Sequence, residues 1–181
     1  MEKLKQTHDV SVTWYAFELR PPGSPPIDPA YLERIKETRP RMEAMAREQY
    51  GLEINVGPFG ISSRAALVGA KYAESQGVGE AYNVAMLRAY WQEARDISDT
   101  AVLADIATSE DVGLDREAYL AALEDPQWTR AVTADVEQAF QCGLNGVPAL
   151  ILANKYLISG AQPYPALAQA VEEITRRESL S

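Results

Sequence analysis

The two residue types that carry most covalent and metal chemistry occur once each in this chain, as Cys142 and His8. A single thiol cannot close an intramolecular disulfide or build a multi-thiolate metal cluster. With one histidine, placed near the start, Ser-His-Asp and Cys-His arrangements and His-rich zinc sites all lack parts. The inventory supplies no catalytic residue and no metal site. Asp96, Asp99, Glu110 and Asp111 are sparse loop carboxylates in a helical stretch and read as helix caps, Asp99 above all. Cys142 ends a helical run whose inner face is Val132, Val136 and Phe140. Free cysteines are among the most buried residue types, so it reads as a buried structural residue. His8 reads as a solvated loop residue. Tyr82, Tyr90 and Trp91 read as core or groove-lining aromatics.

The composition narrows the classes further. The 181 residues are 46% hydrophobic and 24% charged, the profile of a globular protein rather than a disordered, collagen-like or membrane-spanning one. With 17 basic against 26 acidic side chains the formal net charge is −9. That balance opposes non-specific nucleic-acid binding, which needs a basic surface. No apolar run approaches the ~20 residues of a spanning helix, so no membrane partner is expected. Met1 to Gln6 lacks the apolar stretch of a signal peptide, and the chain reads as cytoplasmic. The length allows one domain with an insertion, or two small domains.

The elements that must position any site follow from periodicity. Asp9 to Leu19 reads as the first strand. Val10, Val12, Trp14 and Ala16 alternate with Ser11, Thr13, Tyr15 and Phe17, half-buried at first and buried on both faces later. Arg20 to Pro26 is a stiff polyproline-like connector. Asp28, with Pro29 behind it, caps a helix. Pro40 breaks that run and opens another helix with Met42, Met45, Ala46 and Tyr50 inward and Gly51 as terminator. Ser62 or Ser63 caps a helix burying Ala66, Leu67 and Ala70 and ending at Gly77. Tyr82, Met86, Ala89 and Tyr90 mark the next. Asp99 caps one with Val102, Leu103 and Ile106, and Asp115 one with Tyr119, Leu120 and Leu123. The helical period resumes beyond Pro126 and stops at Gly143. It then gives way to period 2, with Ala149–Ala153 and Tyr156–Ser159 as strands joined by Asn154-Lys155. A last helix carries Leu167, Val171 and Ile174. An isolated hairpin is marginal in water, so the hairpin and the Asp9–Leu19 strand are expected in one sheet.

Gly143 to Pro163 (GLNGVPALILANKYLISGAQP) resembles the end of a DsbA-like thioredoxin domain, and more narrowly its FrnE-type branch. Members of that branch carry a GVP loop, a hairpin and an SGAQP turn in register. Asp9 to Pro21 is similar to the family's second strand, and Ser62 to Leu67 to the start of a helix in its insertion. The resemblance covers nearly the whole chain. It implies an α/β, thioredoxin-like (DsbA-like) fold with a large all-helical insertion. Residues 1–27 and 143–181 form the thioredoxin-like domain and residues 28–142 the helical subdomain. It also implies a cis Val147–Pro148 bond, and a substrate-binding role for Gly146, Val147 and Pro148 through short β-addition of a peptide or of glutathione.

One departure stands out. The family's first strand and the Cys-x-x-Cys at the start of its first helix have no counterpart here, and Met1 to Thr7 resembles only that helix's tail. This reads as a missing upstream segment, with the catalytic cysteines outside the chain. The function implied is thiol–disulfide oxidoreductase, without activity in the 181 residues alone. No cofactor is implied. The partners are a disulfide-containing protein or a glutathione-like thiol, and a homodimer is allowed. Two alternatives stand beside it. One is a glutathione-dependent 2-hydroxychromene-2-carboxylate isomerase or kappa-class transferase, a branch that uses a serine near the same helix. The other is a non-catalytic thioredoxin-fold interaction protein.

Overall fold

The computed structural model describes residues 1–179. The chain divides into two compact units, Arg20–Ala134 on one hand and Met1–Leu19 with Asp135–Ser181 on the other. The described elements are α1 (Glu2–Thr7), α2 (Pro29–Tyr50), α3 (Arg64–Ser75), α4 (Gly79–Trp91), α5 (Thr100–Ala107), α6 (Arg116–Glu124), α7 (Pro126–Gln141), β1 (Ala149–Leu152), β2 (Tyr156–Ser159) and α8 (Tyr164–Glu178).

In the helical unit, α3 to α6 enclose a core of buried apolar side chains. Tyr82, Ala89, Leu103, Ala104, Ala107 and Tyr119 are fully buried. Carboxylate caps start the helices at the expected places: Asp99 accepts from the Ala101 amide at 2.7 Å and Asp115 from the Ala118 amide at 2.8 Å. Such a cap removes one orphan donor of the first turn. Asp28 does the same for α2 at 2.9 Å.

Contrary to expectation, Pro40 does not break α2, which runs unbroken through it for 22 residues. The proline removes one amide and leaves the Lys36 carbonyl without its helical partner. Both residues are exposed, so water can take that role. The proposed inner stripe also needs correction, since only Ala46 is buried while Met45 and Tyr50 are exposed. In α3, Leu67 and Ala70 are half-buried and the full burial falls on Ala66, Val68, Gly69 and Ala73.

In the other unit the sheet has two strands, β1 and β2, paired antiparallel with Ile151 opposite Leu157 and Leu152 opposite Tyr156. The Asp9–Leu19 segment is not a strand among the described residues. It has no regular secondary structure, with Ala16 and Glu18 buried but Trp14, Tyr15 and Leu19 exposed, so it is not covered on both faces. A strand exists only through a neighbour's ladder. Here the Ala16 amide is satisfied instead by the Asp135 carboxylate, at 2.8 Å. The hairpin loop has three residues, Ala153, Asn154 and Lys155, rather than the expected two, because Leu152 is the last residue of β1 and pairs with Tyr156. Ala153 and Asn154 have φ of 53° and 54°, and the Lys155 amide donates to the Leu152 carbonyl at 3.0 Å, a primed turn.

His8 is also corrected. Its side chain is only 15% exposed, with Nδ1 2.8 Å from the Thr7 hydroxyl and Nε2 3.5 Å from Glu172 of α8. The Thr7 hydroxyl lies 2.9 Å from that of Tyr164, which ties α1 to α8.

Candidate functional site: the loop between α7 and the hairpin

The loop is set by how α7 ends. The Gly143 amide donates to the Phe140 carbonyl at 2.9 Å and the Leu144 amide to the Ala139 carbonyl at 2.9 Å. This pair is a Schellman motif, which needs a left-handed residue after the cap; Gly143 supplies it with φ of 73°. Cys142 is then the capping residue rather than part of the inner stripe. It is exposed, against the buried reading. At 100° per residue it lies roughly 90° round the helix from the buried line of Val132, Val136 and Ala139. Phe140 is exposed as well, although its ring remains 6.0 Å from that of Phe17.

From Gly143 the chain passes through Leu144, Asn145, Gly146 and Val147 into Pro148 and β1. The Val147–Pro148 peptide bond is cis. The Gly160 amide donates to the Pro148 carbonyl at 2.9 Å, which carries the hairpin ladder one step beyond β2. The GVP segment and the SGAQP turn therefore face each other. The Gln162 side-chain amide closes that turn on the Ser159 carbonyl at 3.1 Å.

Between loop and hairpin lies a cavity of about 320 Å³, lined by residues 143–148 with Leu157, Ser159 and Gly160. Gly146, Val147 and Pro148 all border it. Val147 is 50% exposed, and among the described residues its N–H and C=O have no hydrogen-bond partner. A backbone donor and acceptor left open beside a cavity can pair with an extended ligand.

The other candidate residues stand elsewhere. Asp99 is a cap. Asp96 accepts from the Ser98 hydroxyl at 2.6 Å and the Ser98 amide at 2.9 Å, and these bonds hold its carboxyl below the usual range. Asp111 pairs with Arg88 at 2.8 Å. No group of three potential metal ligands occurs among the described residues. Leu157 was missed by the sequence reading. The alternation of Tyr156 to Ser159 puts Leu157 and Ser159 on one face, but only the folded structure shows that this face lines the cavity with the loop.

Residues 1–172 match the model of the DSBA-like thioredoxin domain family. The chain belongs to that family, with a mostly helical form of its fold and a small two-stranded sheet among the described residues. It is 30% identical over 176 residues to the uncharacterized protein YwbO of Bacillus subtilis, covering 94% of this chain and 85% of that protein. Among solved structures it is similar to the "probable DsbA oxidoreductase SCO1869" of Streptomyces coelicolor. That match has 28% identity and a TM-score of 0.74, covering 88% of this chain and 73% of the other. A 2-hydroxychromene-2-carboxylate isomerase shares the fold with a TM-score of 0.78 at 22% identity, covering 99% of this chain and 89% of the isomerase. No described helix is long and apolar enough to cross a membrane.

Proposed function

We propose that this chain serves a thiol–disulfide oxidoreductase of the FrnE type, acting in the cytoplasm on disulfide-containing polypeptides, with Gly146, Val147 and Pro148 as its substrate-binding loop. The observation that carries this reading is the open N–H and C=O of Val147 beside a cavity, in a chain of the DsbA-like family. In the reaction a thiolate attacks one substrate sulfur. A mixed disulfide forms and the other substrate sulfur leaves as a thiolate. A second thiol then attacks the mixed disulfide, so two electrons pass to the substrate and the dithiol ends as a disulfide. Two thiols are needed and the 181 residues contain one. The reacting pair is therefore supplied from outside these residues, and their own part is to hold the substrate backbone. Taken alone, they should reduce insulin no faster than a thiol blank.

The glutathione-dependent isomerase reading draws on the shared fold alone. Glutathione carries two carboxylates, and no cationic side chain lines the cavity. Amide spectra of the ¹⁵N-labelled chain separate the two readings. Scrambled, disulfide-containing ribonuclease should shift the Gly146 and Val147 resonances. Shifts with glutathione and none with ribonuclease would replace the oxidoreductase reading by the isomerase one.

A further inference from the structure

We infer that Asn145–Gly146 is a self-modifying site, at which the Gly146 amide nitrogen turns Asn145 into isoaspartate and aspartate without an enzyme and so disables the loop that carries Val147. The modification stands on the loop's own chemistry; the loss of binding it causes rests on the substrate-binding reading above. The chain has four asparagines, and Asn145 is the one followed by glycine. The reaction needs an unrestrained side-chain amide and a following main-chain nitrogen that is free to swing toward it. Asn145 is exposed, and among the described residues neither its side chain nor the Gly146 N–H has a hydrogen-bond partner. A Cβ built on Gly146 would meet nothing within 4 Å, so the approach is open as well as conformationally free. The other three asparagines are held. The nitrogen after Asn154 is that of Lys155, which donates to the Leu152 carbonyl at 3.0 Å. Asn83 lies inside α4 with the stiff, β-branched Val84 behind it. Asn55 is also followed by valine, and its amide is bonded to the Trp91 carbonyl at 2.7 Å while its carbonyl accepts from the Ala94 amide at 2.9 Å.

In the reaction the Gly146 nitrogen, deprotonated by hydroxide, bonds to the side-chain carbonyl carbon of Asn145. The bond from that carbon to Nδ2 breaks and the nitrogen leaves as ammonia, closing a cyclic imide. Water then opens the imide. Opening at the side-chain carbonyl gives aspartate, and opening at the main-chain carbonyl gives isoaspartate, whose backbone is longer by a carbon. Either product exchanges a neutral amide for a carboxylate. Asn145 lines the cavity beside Gly146 and Val147, so a longer backbone displaces both of those residues. The new carboxylate joins a lining without a cationic side chain, and a ligand that covered it would bury an unpaired charge.

The test ages the ¹⁵N-labelled chain at mildly alkaline pH and follows mass, charge and amide spectra. The tryptic peptide that ends at Lys155 holds both Asn145 and Asn154, so one serves as control for the other. Asn145 should gain a single mass unit and a negative charge roughly tenfold faster than Asn154, a modest difference in barrier. The Val147 resonance should move in step, and the shift that scrambled ribonuclease causes there should be lost in proportion to conversion. Asn145→Gln, whose longer side chain closes a ring less readily, should keep its mass and spectrum on ageing. Equal rates at Asn145 and Asn154 overturn the inference. So does conversion that leaves the Val147 resonance and the ribonuclease shift as they were. If ribonuclease shifts not even the fresh chain, the substrate-binding reading falls by itself, and faster conversion with a moved Val147 resonance still upholds the modification.

Discussion

The helical unit and the hairpin unit spend apolar surface in opposite ways. In Arg20–Ala134, Leu103, Tyr82 and Tyr119 are sealed from water and every polar atom of the tyrosine pair is matched. The hairpin unit buries Leu4, Ala16, Val136 and Ala139, while α8 buries nothing completely. Trp14, Tyr15, Leu19, Phe140, Val147, Ile151 and Leu157 of that unit all face water. Local stability follows buried apolar contact, so the candidate site sits in the part of the chain that opens more easily. A loop that must pair its backbone with a ligand belongs there, because a backbone already satisfied by a core has nothing left to offer.

The contrast breaks most sharply at Gly69. The hydroxyl of Tyr82 gives its proton to the Ala66 carbonyl at 3.1 Å, so Tyr119 donates to Tyr82 across 2.7 Å. A Cβ on Gly69 would come within 2.3 Å of the Tyr119 hydroxyl and 2.4 Å of that of Tyr82. Gly69→Ala should therefore cost roughly 3–5 kcal/mol by urea unfolding, overpacking plus a broken buried hydrogen bond. A loss below about 1 kcal/mol would mean that this core is not rigid and that the two units do not differ as described.

The same pair sharpens the contrast with pH. Burial pushes the Tyr119 hydroxyl up to about 12 and the Tyr82 hydroxyl well above its ordinary value. An unfolded tyrosine ionises near 10, so above that pH the unfolded chain holds fewer protons than the folded one. The stability tied to these neutral phenols is complete below about pH 10 and is lost as pH climbs toward 12. Unfolding midpoints measured from pH 9 to 12 should fall across this window. They should fall less steeply in Tyr119→Phe, which removes one of the two ionisations.

A smaller effect is expected in the other unit. Asp135 accepts from the buried Ala16 amide, and Asp135→Ala orphans that donor at a cost of about 1–3 kcal/mol. Hydrogen exchange should then quicken along residues 9–19 and leave α3 to α6 unchanged. Equal quickening in both units would show that they unfold as one cooperative block.

How far these features could be read from the sequence varies with their physical origin. The caps at Asp99 and Asp115 and the buried faces of α4 and α5 were legible, because cap chemistry and helical period are local. The unbroken α2 was not, because whether a proline ends a helix depends on whether the freed carbonyl meets water. Asp9–Leu19 has a strand's alternation, yet alternation says nothing about whether a ladder partner exists. For the site, Gly146, Val147 and Pro148 came from the family resemblance and not from periodicity. Leu157 needed the packing of the loop on the hairpin.

Cys142 gives the smallest and most discriminating test, since sequence and structure disagree about it outright. Were it part of the buried line of α7, Cys142→Ser would place a hydroxyl among apolar side chains and cost about 1–3 kcal/mol. As the exposed capping residue it contributes its backbone, with the amide donating to the Gln138 carbonyl at 3.0 Å, and serine keeps that bond. The substitution should therefore fall within about 0.5 kcal/mol of the parent in urea. A thiol reagent such as Ellman's should modify the folded chain at a rate close to that of the unfolded one. Slow labelling with a destabilised serine variant would return Cys142 to the core and move the end of α7, and with it the start of the loop that holds Val147.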